Sequence, residues 1–164
     1  MLKSGKPIYY QLWLLLLCGW TSGEMPMNAD ELNGFATRYT TAWNSEKAAS
    51  VGKFFAEDGG TLSVNGAPAV GRKAIAAVAQ GFMTGFPDMV LTMDALEIRS
   101  DQVIFRWTFV GTNTGPDGTG NDVHFSGYEK WTFGDDKLIA RSMGHFDNDD
   151  YQNQLKFGVG ASKP

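Results

Sequence analysis

The stretch MVLTMDALEIRSDQVIFRWTFVGT, residues 89–112, decides the fold. Apolar and polar side chains alternate along both of its halves, which is the period of a half-buried β-strand. The polar pair Ser100–Asp101 lies between the halves and is typical of a tight turn. The stretch therefore predicts two strands, 89–99 and 102–112, joined as a hairpin.

The same period continues toward the C-terminus. Two further strands are predicted at 123–133 and 137–147, joined by a tight polar turn. A glycine-rich loop, 113–122, separates the two strand pairs, and a closing helical turn is predicted at 151–157. Long strands twist and curl, so this meander predicts a sheet whose concave side forms a pocket.

Upstream of these strands the period changes to that of a helix. Asn28 and Glu31 have the spacing of a capping box, and apolar residues recur at helical spacing from Leu32 to Trp43. Two shorter helical patterns and a hairpin-like piece at 61–70 follow. Helices gathered before a run of strands predict an α+β fold, with the helices packed on one face of a curved antiparallel sheet.

Composition limits the function. The chain has 164 residues, of which 43% are hydrophobic and 20% charged, as expected for one globular domain. The net charge of -4 and the absence of a Lys/Arg cluster argue against a nucleic-acid partner. Cys18 is the only cysteine and there are two histidines. We therefore expect no disulfide, no metal and no cofactor.

The N-terminus has the pattern of an export signal. A basic start is followed by a short apolar run, and Thr21 and Gly23 are small residues at the -3 and -1 positions. This pattern predicts a signal peptide at 1–23 and a secreted or periplasmic protein, and the run is too short for a stable membrane span. The alternative is translation from Met25 or Met27, which would give a cytoplasmic protein.

Several segments occur in an order and spacing that resemble a known family. From residue 35 to 158 the chain resembles the SnoaL-like polyketide cyclases of the nuclear transport factor 2-like superfamily. The segments are AWN at 42–44, FFAED at 54–58, NG at 65–66, GR at 71–72, FPDM at 86–89, WTFVGT at 107–112, HFD at 145–147 and QL at 154–155.

The resemblance implies a domain over 28–158, followed by a flexible tail at 159–164. It also implies a cone of curved strands closed by the N-terminal helices, and a homodimer formed through the sheet. Cyclases of this family close a ring by an intramolecular aldol condensation, using a carboxylate near the end of the last strand. In this sequence that position falls on Asp147, with His145 beside it.

His145 and Asp147 are the predicted catalytic residues. They are two apart on a strand, so their side chains share a face with Cβ atoms roughly 6–7 Å apart. We expect both to point into the pocket as an acid/base pair, because a carboxylate in an apolar cavity suits abstraction of a proton α to a carbonyl. The alternative is that Asp147 caps the closing helix.

The predicted substrate-binding residues come from the first helix and the strands. Asn113 can donate hydrogen bonds to a substrate carbonyl, although Asn beside Gly-rich sequence is also common turn chemistry. Trp107 and Phe109 share a strand face and either line the pocket or fill the core. The remaining predicted wall residues are Tyr39, Trp43 and Met143.

Two functions remain open from the sequence. The first is an enzyme of cyclase or isomerase type that carries out cofactor-independent acid/base catalysis on a hydrophobic carbonyl compound. The second is a non-catalytic module of the same fold that binds a small apolar ligand or mediates dimerisation.

Overall fold

The computed structural model describes residues 25–160. The predicted signal peptide and the last four residues of the predicted tail lie outside this range. Three helices come first, α1 (Ala29–Trp43), α2 (Ala48–Gly52) and α3 (Arg72–Gly85), with the short strands β1 (Thr61–Val64) and β2 (Ala69–Val70) between the last two. The long strands β3 (Val90–Ile98), β4 (Val103–Thr112), β5 (Asp122–Phe133) and β6 (Ile139–Phe146) follow, and α4 (Asn148–Phe157) closes the chain.

Helix α1 begins where the capping pattern predicts. The Asn28 side chain accepts a hydrogen bond from the Glu31 backbone N–H, and the Glu31 carboxylate accepts one from the Asn28 N–H, both at 2.9 Å. The predicted apolar stripe of α1 is buried from Leu32 to Trp43. This stripe lies across the sheet, so α1 covers the concave side on which the site is found.

The six strands form one sheet in the order β2-β1-β6-β5-β4-β3. The predicted α+β architecture is confirmed, and the sheet is curved and unclosed. It is mixed rather than wholly antiparallel, because β1 pairs in parallel with β6. Register shifts leave one extra residue in β3, Asp94, and one in β6, Ala140, and such bulges bend strands.

Aromatic rings fill the space between the helices and the sheet. Phe105 and Trp131 stack with ring centroids 4.7 Å apart beneath Tyr39 of α1. A second aromatic group packs toward the other end of the sheet, around Phe125 and Phe146, whose centroids are 5.0 Å apart. Phe125 and Phe146 of this second group line the small cavity described below.

Candidate functional site

Strand parity determines which side chains of the sheet face the helices. Along β5, Val123, Phe125, Glu129 and Trp131 are buried, and the residues between them are partly or fully exposed. On β6 the inward positions opposite them belong to Ser142, Gly144 and Phe146. Glu129 is thus the one carboxylate among the inward positions of these two strands.

The inward side chains line a partly open apolar cavity of about 40 Å³. This is room for a few water molecules, well below the 300–1,000 Å³ of typical ligand pockets. Nine of the ten residues around it are apolar side chains or glycine. The lining residues are Trp43, Val64, Phe82, Leu91, Trp107, Phe109, Phe125, Glu129, Gly144 and Phe146.

Glu129 is held in the cavity wall by three hydrogen-bond donors. Its Oε2 accepts from the Ser142 hydroxyl at 2.6 Å, the Trp131 indole N–H at 2.8 Å and the Tyr39 hydroxyl at 3.1 Å. Its Oε1 accepts a hydrogen bond only from the same Tyr39 hydroxyl, at 3.2 Å. Lone pairs on Oε1 therefore remain available for a proton or a ligand.

Burial changes the ionisation of this group. The loss of hydration raises the pKa of the Glu129 carboxyl, and the hydrogen bonds from Ser142, Trp131 and Tyr39 partly oppose that rise. Burial also raises the pKa of Tyr39 well above its usual value, and the neighbouring Glu129 charge adds to the rise. Tyr39 is therefore a stable donor, and Glu129 is a carboxyl whose proton is held more tightly than in water.

Two tryptophan side chains line the same cavity. Trp43 and Trp107 are 7% and 8% exposed, and each lines the cavity wall. Within residues 25–160, the Nε1 atom of neither indole has a hydrogen-bond partner, although both atoms are buried. The cavity wall thus combines one carboxylate with two indole rings whose N–H groups are buried behind it.

The structure contradicts the expected orientation of His145 and Asp147. Both are exposed, because Phe146 takes the inward position between them. The Asp147 carboxylate accepts a hydrogen bond from the Asp150 backbone N–H at 3.0 Å and caps α4. His145 packs against Tyr128 on the convex face, with ring centroids 5.5 Å apart. The prediction that the pair points into the pocket is wrong.

Two predicted substrate-binding residues also lie away from the cavity. Met143 is on the convex face of β6 and is 36% exposed, so its predicted place in the pocket wall is wrong. Asn113 belongs to the glycine-rich loop, where its amide donates to the Gly85 carbonyl at 3.1 Å and accepts from the Thr119 backbone N–H at 2.9 Å. Its side chain organises the loop rather than the cavity.

The other predicted wall residues lie at the cavity. Trp43, Trp107 and Phe109 line it, and Tyr39 lies behind Glu129 as its hydrogen-bond donor. Substrate binding by these residues stays a prediction. Glu129 and Ser142 were not predicted from the sequence, although a lone carboxylate at an inward position of an otherwise apolar strand face is a usable signal.

A larger cleft on the surface is a weaker candidate. It has a volume of about 660 Å³ and lies beside the start of α1 and the β5–β6 turn. Its charged residues are all exposed, and two of them, Lys137 and Glu31, pair at 2.9 Å. No ionisable group there is buried, so the interior cavity is the better candidate for acid/base chemistry.

Residues 25–160 contain no group of three or more His, Cys, Asp or Glu side chains placed to hold a metal ion. No helix within the same range is both long and apolar enough to cross a bilayer.

The fold and the cavity define a class of protein: a curved α+β sheet covered by helices, with an enclosed carboxylate on its concave side. The model of the SnoaL-like polyketide cyclase family matches residues 34–155. The chain belongs to this family. A search of curated proteins found no match.

Solved structures share the fold at low sequence identity. A hypothetical protein with a ketosteroid isomerase-like fold from Catenulispora acidiphila DSM 44928, solved in complex with trimethylamine, matches with a TM-score of 0.67 and 16% identity, covering 79% of this chain and 97% of its own. TsrD from Streptomyces laurentii matches with a TM-score of 0.68 and 18% identity, over 79% and 97%. The epoxide hydrolase/cyclase-like enzyme SalBIII, described in pyran ring formation in salinomycin, matches with a TM-score of 0.64 and 15% identity, over 77% and 97%.

Proposed function

We propose that this protein is an acid/base enzyme of cyclase or isomerase type that acts on a hydrophobic carbonyl compound, with Glu129 as the base. The observation that carries the proposal is one carboxylate enclosed in an apolar cavity, with Oε1 nearly free of hydrogen bonds. Family membership supports the same reaction class. No cofactor is required for proton transfer of this kind.

The proposed reaction needs only Glu129 and the substrate. Glu129 Oε1 takes a proton from the carbon next to the substrate carbonyl, and the C–H electron pair moves into the carbonyl to give an enolate. In an isomerase, the conjugated enolate then takes the proton back from Glu129 at another carbon. In an aldol cyclase, the enolate carbon forms a bond to a second carbonyl carbon of the same molecule, and the alkoxide formed there takes the proton from Glu129. The buried Glu129 holds the proton between the two steps because its pKa is raised by burial.

The test measures exchange of α-protons for deuterium. The protein is incubated in D₂O with cyclopentanone, cyclohexanone and 2-cyclohexenone, and exchange is followed by proton NMR. We expect exchange above the buffer rate for at least one ketone, and a loss of about 10²-fold or more in Glu129→Gln. Asp147→Asn is the matched control, because Asn caps a helix about as well as Asp.

Two outcomes would contradict the proposal. The first is exchange at the buffer rate with every ketone in the series. The second is a Glu129→Gln variant that exchanges like the parent. If Asp147→Asn lost exchange instead, the catalytic role predicted from the sequence would be restored and Glu129 would be a structural group.

A non-catalytic ligand-binding module is the second candidate. It is favoured by the small cavity and by the three donors that satisfy Glu129 Oε2, since a buried carboxyl with hydrogen-bond partners also occurs as a structural group. Binding of a ligand without α-proton exchange would support this second candidate.

We also propose that the protein is a homodimer joined through the convex face of the sheet. That face exposes Val110 and Met143, each 36% exposed, beside the Tyr128 ring. Arg106 and Lys130 lie 6.0 and 5.6 Å from the centroid of that ring. Light scattering of the parent should give twice the monomer mass, and Met143→Glu should give the monomer; a monomeric parent would contradict this proposal.

A further inference from the structure

Glu129 has no side chain beside it on one of its two neighbouring strands. Across the sheet it pairs with Phe105 of β4 and with Gly144 of β6, and Gly144 pairs in turn with Val64 of β1. The Phe105 side chain is fully buried, whereas Gly144 offers only a hydrogen atom. Because directly opposite side chains cover each other in a sheet, Glu129 is covered from β4 but not from β6.

The missing side chain of Gly144 leaves room next to Glu129. A Cβ atom at this position would stand 3.6 Å from Cγ of Glu129 and 3.8 Å from Cα of Val64, which are ordinary contact distances. Glycine weakens the interior of a strand, and it often marks a place where a ligand or another backbone approaches closely. Gly144 and Glu129 both line the cavity, so this room is part of it.

The exposure of the lining residues indicates where the partly open cavity meets solvent. Seven of the ten lining residues are buried. The three that are partly exposed are Val64, Gly144 and Phe82. Val64 and Gly144 are paired neighbours in the sheet, and Phe82 belongs to α3. The mouth of the cavity is therefore bordered by the β1–β6 pair on the sheet side and by Phe82 on the helix side.

Phe82 is the aromatic ring at this mouth. Its centroid is 6.1 Å from that of Trp43 and 5.9 Å from that of Phe109, so the ring lies against two other wall residues. Every other aromatic side chain of the wall is buried. A partly exposed ring changes rotamer more readily than one packed on all sides. The width of the mouth therefore depends on the position of the Phe82 ring.

We infer that a ketone reaches Glu129 through the mouth between Phe82 and the Val64–Gly144 pair, and that Gly144 and Phe82 determine the size of the ketone that is accepted. This inference rests on the proposed function, because it names the specificity-determining residues of the same site. A single-ring ketone enters past the Phe82 ring and occupies the space beside Gly144. The Phe82 ring excludes a fused two-ring ketone, because a cavity of about 40 Å³ must already widen to admit one ring.

The first test compares the binding of two ketones by NMR titration of the ¹⁵N-labelled protein. Cyclohexanone has one ring, and 2-decalone has two fused rings. We expect the parent to bind cyclohexanone at least about tenfold more tightly than 2-decalone. Phe82→Ala removes the ring from the mouth, and it should bind 2-decalone at least as tightly as cyclohexanone. Phe157→Ala is the matched control, because it makes the same substitution at an exposed position of α4, and it should keep the preference of the parent.

The second test fills the space beside Glu129. Gly144→Ala places a methyl group there and should weaken cyclohexanone binding by about tenfold or more. The new Cβ would stand 3.0 Å from the Ser63 carbonyl oxygen, which must shift by a few tenths of an ångström. Gly81→Ala is the matched control, because no atom lies within 4 Å of its Cβ position, and it should bind cyclohexanone within about twofold of the parent.

The outcomes separate this inference from the proposed function. An unchanged preference in Phe82→Ala overturns the inference, and so does a folded Gly144→Ala that binds cyclohexanone like the parent. If Gly144→Ala does not fold, the comparison of Phe82→Ala with Phe157→Ala decides alone. Absence of ketone binding in both the parent and Phe82→Ala also overturns it. The expected changes in binding without any α-proton exchange would support the inference and contradict the proposed enzyme, whereas exchange with unchanged binding in both variants would do the reverse.

Discussion

Replacing Ser142 by alanine would test how the protein controls the charge of Glu129. Ser142 is 1% exposed, and its hydroxyl donates to Glu129 Oε2 at 2.6 Å, the shortest of the contacts to that carboxylate. Of the groups that lower the Glu129 pKa, Ser142 has the largest effect. Ser142→Ala should therefore raise that pKa further above its ordinary value.

The size of the effect follows from the hydrogen bond. A bond to a charged group contributes about 1.5–3 kcal/mol, and a protonated carboxyl keeps a weaker bond to the same hydroxyl. The ionised form of Glu129 therefore loses about 1.5 kcal/mol more stabilisation than the protonated form, which corresponds to a roughly tenfold smaller ionisation constant. At a pH well below the parent's Glu129 pKa, the fraction of Glu129 available as a base should fall by about the same factor.

The assay is a pH titration of the glutamate carboxyl carbons by ¹³C NMR, with Glu129 identified by its loss in Glu129→Gln. Ser126→Ala is the matched control: Ser126 is exposed on the neighbouring strand, and its hydroxyl bonds Thr108 at 2.8 Å. The reasoning is refuted if the Glu129 titration in folded Ser142→Ala coincides with that of the parent. It is also refuted if Ser126→Ala moves it equally.

Three further predictions concern stability. Gly127→Ala should lower the free energy of unfolding in urea by about 1–3 kcal/mol, because the new Cβ would overlap Trp107 atoms. Gly81→Ala is the control and should be neutral or stabilising, because Gly81 is exposed on α3 and no atom lies within 4 Å of its Cβ position. Equal losses in the two variants would contradict this prediction. Asp147→Ala should lower the free energy of unfolding by about 1 kcal/mol and leave α-proton exchange unchanged, because the Asp147 side chain caps α4. An unchanged melting temperature would show that the cap does not stabilise the fold. The parent should lose stability relative to Glu129→Gln as pH rises from about 4. The pKa of Glu129 is raised in the folded state, so the protonated carboxyl stabilises the fold below the unfolded pKa, which is near 4.3. That stabilisation is lost as the pH rises through the folded pKa. Urea titrations from pH 4 to 8 measure the difference, and a constant difference would be inconsistent with a buried, titrating Glu129.

The fold could be read from the sequence because it depends on repeated local signals. The capping pair Asn28 and Glu31 and the alternation along 89–112 each specify an element without knowledge of its neighbours. The parallel pairing of β1 with β6 was not predictable in this way, because β1 has four residues and its partner lies far along the chain.

The site was harder to predict because it depends on which face of each strand is inward. His145 was correctly placed on the last strand, but it lies on the convex face, as the inward packing of Phe146 shows. Asp147 lies beyond that strand, as the N-cap of α4. The same parity applied to β5 would have found Glu129. Its flanking residues Tyr128 and Lys130 are polar and outward, while Phe125 and Trp131 on its own face are buried.

The parallel pairing of β1 with β6 also has a consequence for how the molecule folds. Thr61 pairs with Arg141 and Val64 with Gly144, so each contact closes a loop of about 80 residues. Closure of long loops costs chain entropy before the contacts form, and such topologies fold slowly. A growing chain cannot complete the cavity until β6 has been synthesised, because Gly144 and Phe146 are part of its wall. Until then the carboxylate of Glu129 lacks the Ser142 hydroxyl, so we expect the site to be assembled last; stopped-flow refolding should show protection of β6 amides no earlier than that of β3 and β4.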